Sequence, residues 1–139
     1  MPDLRYLADT SVFARAGQAA VGIRLEALAE ERRLWTCRMV DLELLHGTRS
    51  RDLPAVIAER FGMRDAPITA GVMDRALRVA GLLAAAGLHR AAKPPDLIIA
   101  AAAETAGLTI LHYDADYDRI ARVTGQPVEW IAPPGTLDR

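Results

Sequence analysis

The chain has one cysteine, Cys37, among 139 residues. No internal disulfide and no CysxxCys zinc site can therefore form, and a reducing cytoplasm is the expected compartment. No apolar run reaches the ~18 residues that span a bilayer, so no membrane segment is expected. The opening Met-Pro-Asp-Leu-Arg lacks the basic start and apolar block of a signal peptide. Formal net charge is only -1. Bulk electrostatics thus announces no nucleic-acid partner, and any such partner must be held by local clusters or by cations that offset the acids. There is no Gly-rich phosphate loop ending in Lys-Ser/Thr. The three histidines (His46, His89, His112) have no zinc spacing, and no GlyxSerxGly elbow occurs. Internal repeats, low-complexity tracts and linkers are also lacking, so residues 1–139 are read as a single domain.

What is present is a globular composition, 51% hydrophobic and 25% charged, enough for a full core. Short apolar segments read as strands: Leu4–Ala8, Leu34–Cys37, Leu108–Leu111 and Val128–Ile131. A brief edge strand is expected within Gly62–Thr69. Between them lie helical patterns: a single turn at Val12–Arg15, then Gln18–Arg33, Met39–Thr48, Arg51–Phe61, Ala70–Ala86, Asp96–Ala106 and Ala115–Thr124. Pro54 fits a first helical turn, and Gly87 and Gly107 fit left-handed caps. His89–Lys93 is a basic loop, and Pro133–Gly135 a loose tail. Short strands alternating with helices predict a three-layer α/β domain with a central, mostly parallel sheet flanked by helices. Ligands of such sheets bind beyond the carboxyl ends of the strands.

Acids fall at that edge. Asp9 and Asp114 each follow a strand, Glu43 lies on the helix after the second strand, and Asp96 lies at a helix start whose dipole favours negative charge. Each has an ordinary alternative. Asp9 and Asp96 are good helix-capping residues. Glu43 could face solvent, with Asp41 as a rival acid two residues away. Asp114-Ala-Asp116-Tyr-Asp118 could be a solvated turn, although three alternating carboxylates repel one another unless positive charge sits nearby. An EF-hand starting at Asp114 needs Gly at its sixth position and Glu at its twelfth. Arg119 and Gly125 stand there, so it fails. A phosphatase of the haloacid-dehalogenase kind normally opens its domain with its Asp-x-Asp pair, whereas only a short tail follows this one. What remains is an all-carboxylate site, whose hard oxygens suit Mg²⁺ or Mn²⁺ rather than zinc.

The order strand-Asp-Thr-Ser, Glu-Leu-Leu-x-Gly, Pro-Asp-Leu-Ile-Ile-Ala-Ala-x-Ala and strand-x-x-Asp-x-Asp-Tyr-Asp-x-Ile resembles a PIN domain. Within that family it is similar to the VapC-type toxins of toxin–antitoxin pairs. The resemblance runs from Leu4 to Ile131. It implies a Mg²⁺- or Mn²⁺-dependent endoribonuclease acting on structured RNA, restrained by a VapB-like antitoxin and commonly dimeric. Asp9, Glu43, Asp96 and Asp114 would be the catalytic, metal-binding quartet, with Asp116 a neighbouring or alternative ligand. Thr10 or Ser11 would help hold the site. Phosphate binding beyond the metals needs cations, and by position the candidates are Arg49 and Arg51, near the Glu43 helix, and Arg90 and Lys93, just before Asp96, with a solvated charged surface as the ordinary alternative for each. One or two ions would offset the acids and activate water, leaving a 5′-phosphate and a 3′-hydroxyl. Two departures from the commoner pattern stand out: His112 in place of a frequent Thr, and Tyr117 in place of a frequent Phe. Whether His112 touches the site or packs beside it is open at this level. A module of the same fold that binds nucleic acid or protein without cutting is the competing reading, and metal-dependent cleavage separates the two. For self-association, the Val72–Leu83 helix and the Arg51–Phe61 segment are apolar enough to bury a face against a second copy, the alternative being that the protein's own core fills both.

Overall fold

The computed structural model describes residues 4–138. Met1, Pro2 and Asp3, which open the N-terminal segment read as lacking a signal peptide, lie outside the described residues. Five strands form one all-parallel sheet in the order β3-β2-β1-β4-β5. They are β1 (Tyr6–Ala8), β2 (Leu34–Thr36), β3 (Arg64–Asp65), β4 (Thr109–His112) and β5 (Val128–Trp130). The expected edge strand is therefore present, as the two residues of β3. The helices are α1 (Thr10–Phe13), α2 (Ala19–Glu30), α3 (Arg38–His46), α4 (Leu53–Phe61), α5 (Ala70–Ala85), α6 (Pro94–Ala106) and α7 (Asp116–Thr124). A short 3-10 turn, Ser50–Asp52, precedes α4.

The strands are short, and both faces of the sheet are covered. Side chains alternate across the pleat. Leu7 and Ile110 point into one core with Val40 of α3, Val72, Ala76, Val79 and Leu83 of α5, and the alanines of α6. Tyr6, Ala8 and Leu111 point into a second core with Val12 of α1 and Val21, Leu25 and Leu28 of α2. These two cores make the three layers. Ala100–Ala103 are all buried, and their small side chains let α6 lie close to the sheet.

Two local differences from the sequence reading bear on the acidic edge of the sheet. Helix α6 begins at Pro94, so both prolines stand inside the first turn and Asp96 is its third residue. Proline has no N–H to satisfy there, and its fixed φ suits a first turn. Strand β4 extends one residue further than expected, taking in His112. At the far end of α6, Gly107 adopts φ 70 and turns the chain directly into β4, a conformation that glycine adopts without steric cost.

Strand order reverses at β1. The chain moves from β1 to β2 on one side, and β4 joins β1 on the other. Such a switch point opens a crevice at the carboxyl edge of a parallel sheet. Asp9 and Asp114 follow the two strands that flank it. The start of α6 comes to the same edge because α6 runs back against the strand direction before β4.

Candidate functional site

Asp9 is the residue at which β1 ends and α1 begins, and it is only 4% exposed. The sheet reaches it directly, since its N–H donates to the Leu111 carbonyl at 2.9 Å. Both carboxylate oxygens are engaged. Oδ2 accepts from the Ser11 N–H at 3.0 Å, and Oδ1 accepts from the Tyr117 hydroxyl at 2.6 Å. Asp9 is thus a helix cap and a buried acid at once; the capping alternative is real and does not displace the other.

Thr10 and Ser11 divide the supporting work. The Thr10 hydroxyl donates to Glu43 Oε1 at 2.8 Å, tying α3 to α1. Ser11 Oγ accepts from the Tyr113 N–H at 2.9 Å, fixing the turn after β4. Asp41, the rival acid, points elsewhere. It is 4% exposed and accepts from Arg60 Nε, Arg38 Nη1 and Thr36 Oγ1, each at 2.7 Å. It is consumed by a buried ion pair that joins α3 to α4.

On the other side of the crevice, Asp96 Oδ2 accepts weakly from the Lys93 N–H at 3.4 Å, and its Oδ1 lies 3.5 Å from the Tyr117 hydroxyl. Asp114 Oδ1 accepts from the Asp116 N–H at 2.9 Å, which starts α7. Asp96, Asp114 and Asp116 each offer an oxygen within 4.8 Å of the others, the spacing of ligands around one cation. The charge they share is felt. Burial, then Asp9, then Asp114 and Asp116 push the Asp96 carboxyl up to about 7, against the Lys93 N–H that lowers it. Asp116 is raised by burial and by Asp114, with Arg119 and Lys93 opposing. Arg119 donates to Asp116 Oδ1 at 2.7 Å. Among the described residues no basic side chain pairs with Asp9, Glu43, Asp96 or Asp114. Asp96, Asp114 and Asp116 are hard oxygen donors whose one ion pair among the described residues is Arg119 on Asp116, which fits a divalent cation, while Asp9 and Glu43 stand beside that cluster rather than in it.

The expected phosphate-binding cations are less tightly placed. Arg49 and Arg51 are exposed where α3 gives way to α4, and Arg90 and Lys93 are exposed ahead of α6. Of these, Lys93 stands close enough to lower Asp116 electrostatically. A cavity of about 640 Å³ lies elsewhere, between Phe13, Leu25, Leu34 and Met63, with none of these acids in its wall.

Two residues outside the predicted acid set join the site, one of them His112, whose contact with it the sequence left open. Tyr117, fully buried, bridges Asp9 and Asp96; burial, and then those two acids, hold its phenol well above the ordinary range. His112 is also fully buried, between the rings of Tyr117 and Trp130. Its Nδ1 accepts from the Asp114 N–H at 3.1 Å, so the ring touches the site through the backbone. Among the described residues Nε2 has no hydrogen-bond partner, with Asp118 Oδ1 3.7 Å away. Burial lowers the His112 pKa against the pull of Asp118 and the other acids. The only advance signal was that both residues depart from the commoner motif.

Residues 6–123 match the PIN domain family. The chain belongs to the PIN-domain family. Relatives of this PIN domain include Ribonuclease VapC51 of Mycobacterium tuberculosis (strain ATCC 25618 / H37Rv), 44% identical over 138 residues, 97% of this chain and 98% of that protein. Ribonuclease VapC18 of the same strain is 42% identical over 135 residues, 95% of this chain and 98% of that protein. Among solved structures, the DNA-bound VapBC of Salmonella typhimurium superposes with a TM-score of 0.73 at 18% identity, covering 94% of this chain and 100% of that one. VapBC-5 of Mycobacterium tuberculosis gives a TM-score of 0.58 at 25% identity, covering 92% and 98%. The first of these structural likenesses speaks to the fold alone. No helix among the described residues is long and apolar enough to cross a membrane.

Proposed function

We propose that this single PIN domain is a VapC-type toxin: a Mg²⁺- or Mn²⁺-dependent endoribonuclease that cleaves structured RNA in the cytoplasm. The observation that carries the reading is the convergence of Asp96, Asp114 and Asp116 at ligand spacing, beside Asp9 and Glu43, in a chain 44% identical to a named ribonuclease. Asp9, Glu43, Asp96 and Asp114 are the catalytic acids of this reading, and Asp116 completes the ligand set. Those carboxylates would hold a divalent ion, which when bound would offset their charge and supply Lewis acidity for water and for the phosphoryl oxygens. The chain's own residues do the rest. Thr10 aims Glu43. Ser11 holds Asp9 through its N–H and the Tyr113 turn through its hydroxyl. Arg49, Arg51, Arg90 and Lys93 draw the RNA backbone to the crevice as exposed cations.

The partner in this reading is a VapB-like antitoxin whose tail lies in the acidic crevice and offers an arginine to the carboxylates. The chain also pairs with a second copy of itself. The Val72–Leu83 stripe is filled by the protein's own core, so the free apolar face of α5 is its opposite side, where Met73 and Leu77 are 46% and 75% exposed.

The test is cleavage of a labelled structured RNA with Mn²⁺. Chelation is expected to abolish cutting. Asp9→Asn and Asp114→Asn are expected to lose about 100-fold or more, as ligand loss outweighs the 10–100-fold typical of outer-shell changes. Asp116→Asn should fall between these and wild type, because Arg119 already occupies one of its oxygens. Undiminished cutting in chelator, or full activity of Asp9→Asn, rules out the metal-nuclease reading and leaves a binding module.

A further inference from the structure

We propose that the Tyr117 phenol is a positioning group that holds the Asp9 and Asp96 carboxylates in place in the metal-free protein, so that the acid cluster is assembled before a cation arrives. The inference rests on the reading of these acids as a divalent-cation site.

Acids brought together without a cation repel one another, and the fold must hold them by other means. Asp9 is the most demanding of them. It is 4% exposed, has no basic partner among the described residues, and depends on two donors. One is the Ser11 N–H, which the turn into α1 supplies whatever the side chains are. The other is the Tyr117 hydroxyl, at 2.6 Å. That is the length of a charge-assisted O–H···O bond, about twice as strong as a neutral one. The same hydroxyl lies 3.5 Å from Asp96 Oδ1, so one proton sits between an acid on the β1 edge and an acid on α6.

The hydroxyl is separable from the ring. Tyr117 is 0% exposed, and its ring stacks at a tilt on His112, with centroids 5.3 Å apart. A phenylalanine would fill the same space and keep that contact. What it would remove is the donor, leaving Asp9 Oδ1 buried and unsatisfied, the arrangement that costs most when one partner of a hydrogen bond is deleted. A cation held by Asp96, Asp114 and Asp116 supplies positive charge directly to Asp96 and through space to Asp9, which acts electrostatically on Asp96. Loss of the phenol should therefore matter much in the metal-free protein and little in the loaded one. A hydroxyl that merely stabilises the core would matter equally in both.

The experiment is the melting temperature of full-length wild type and Tyr117→Phe, each in chelator and in saturating Mn²⁺. The variant is expected to melt about 5 °C below wild type without metal, and to close more than half of that gap with Mn²⁺. By linkage it should also bind Mn²⁺ more tightly, read from the free-ion electron paramagnetic resonance signal. In an Asp9→Asn background, Tyr117→Phe should lower the metal-free midpoint by about half as much, because the charge it serves is gone. Equal losses with and without Mn²⁺, or no metal-free loss, overturn the role of Tyr117 while a normal wild-type response to Mn²⁺ leaves the cation site standing. A wild type indifferent to Mn²⁺ overturns both.

Discussion

Asp96 decides the pH behaviour of the site. Its carboxyl is pushed up to about 7 by burial and by Asp9, Asp114 and Asp116, while an unfolded chain holds an aspartate near 3.9. The folded state therefore binds this proton more tightly than the unfolded state. Its contribution to stability is fully present below the unfolded value and is lost as pH rises toward 7. The metal-free protein should lose melting temperature across that window relative to Asp96→Asn, which cannot titrate. Mn²⁺ should reverse the trend, since a cation favours the ionised carboxylate, and Mn²⁺ affinity should climb up to about pH 7. Melting curves of wild type and Asp96→Asn from pH 4.5 to 7.5, with and without Mn²⁺, check both signs. Parallel metal-free curves for the two proteins would show that Asp96 is ionised throughout.

At the scale of elements, Asp41 carries a different lesson. From the sequence it competes with Glu43 for the site and is expected to be dispensable for cutting. In the fold it is the acid of a buried ion pair with Arg60, which is 4% exposed, and it also accepts from Thr36 at the end of β2. The pair clamps α3, α4 and β2 together, and Arg60 in turn lies over the Phe13 ring of α1 at 5.0 Å. Replacing one member strands the other charge in the interior. Asp41→Asn should therefore destabilise the protein by about 3 kcal/mol, measured by urea unfolding. Glu43→Gln, half-buried and relieved of repulsion, should change stability by less than about 1 kcal/mol. A change of similar size in both would mean that Arg60 finds other partners. Cleavage by whatever Asp41→Asn remains folded should be near normal, because its side chain faces away from the crevice.

For the whole molecule, the exposed face of α5 is the feature to test. Met73 and Leu77 stand one helical turn apart on this face, 46% and 75% exposed. If this face pairs with a second copy, Leu77→Glu should place like charges across a two-fold interface and shift the protein to monomer. Sedimentation at tens of micromolar is expected to give a dimer for wild type and a monomer for the variant. The variant's melting temperature at low concentration should not change, since Leu77 makes no core contact. A monomeric wild type would remove the proposal.

The amino-acid sequence by itself determined the element order, the parallel α/β class and the edge of the sheet on which the acids fall. These follow from local rules: hydrophobic period, proline and glycine at helix ends, and the placement of polar residues just after buried strands. It also determined the α5 core stripe, since Val72, Ala76, Val79 and Leu83 repeat at helical spacing whatever they pack against. Motif order favoured Glu43 over Asp41, but only the tertiary structure supplied the reason: two residues along a helix differ by about 200° of rotation, and Asp41 is turned into the ion pair with Arg60 while Glu43 meets Thr10. It alone drew Asp116 to ligand distance of Asp96 and Asp114, and set the Tyr117 hydroxyl between Asp9 and Asp96. Those contacts join residues as far apart as 108 positions. Their geometry depends on how α6 and α7 pack over the switch between β1 and β4, which no local pattern encodes.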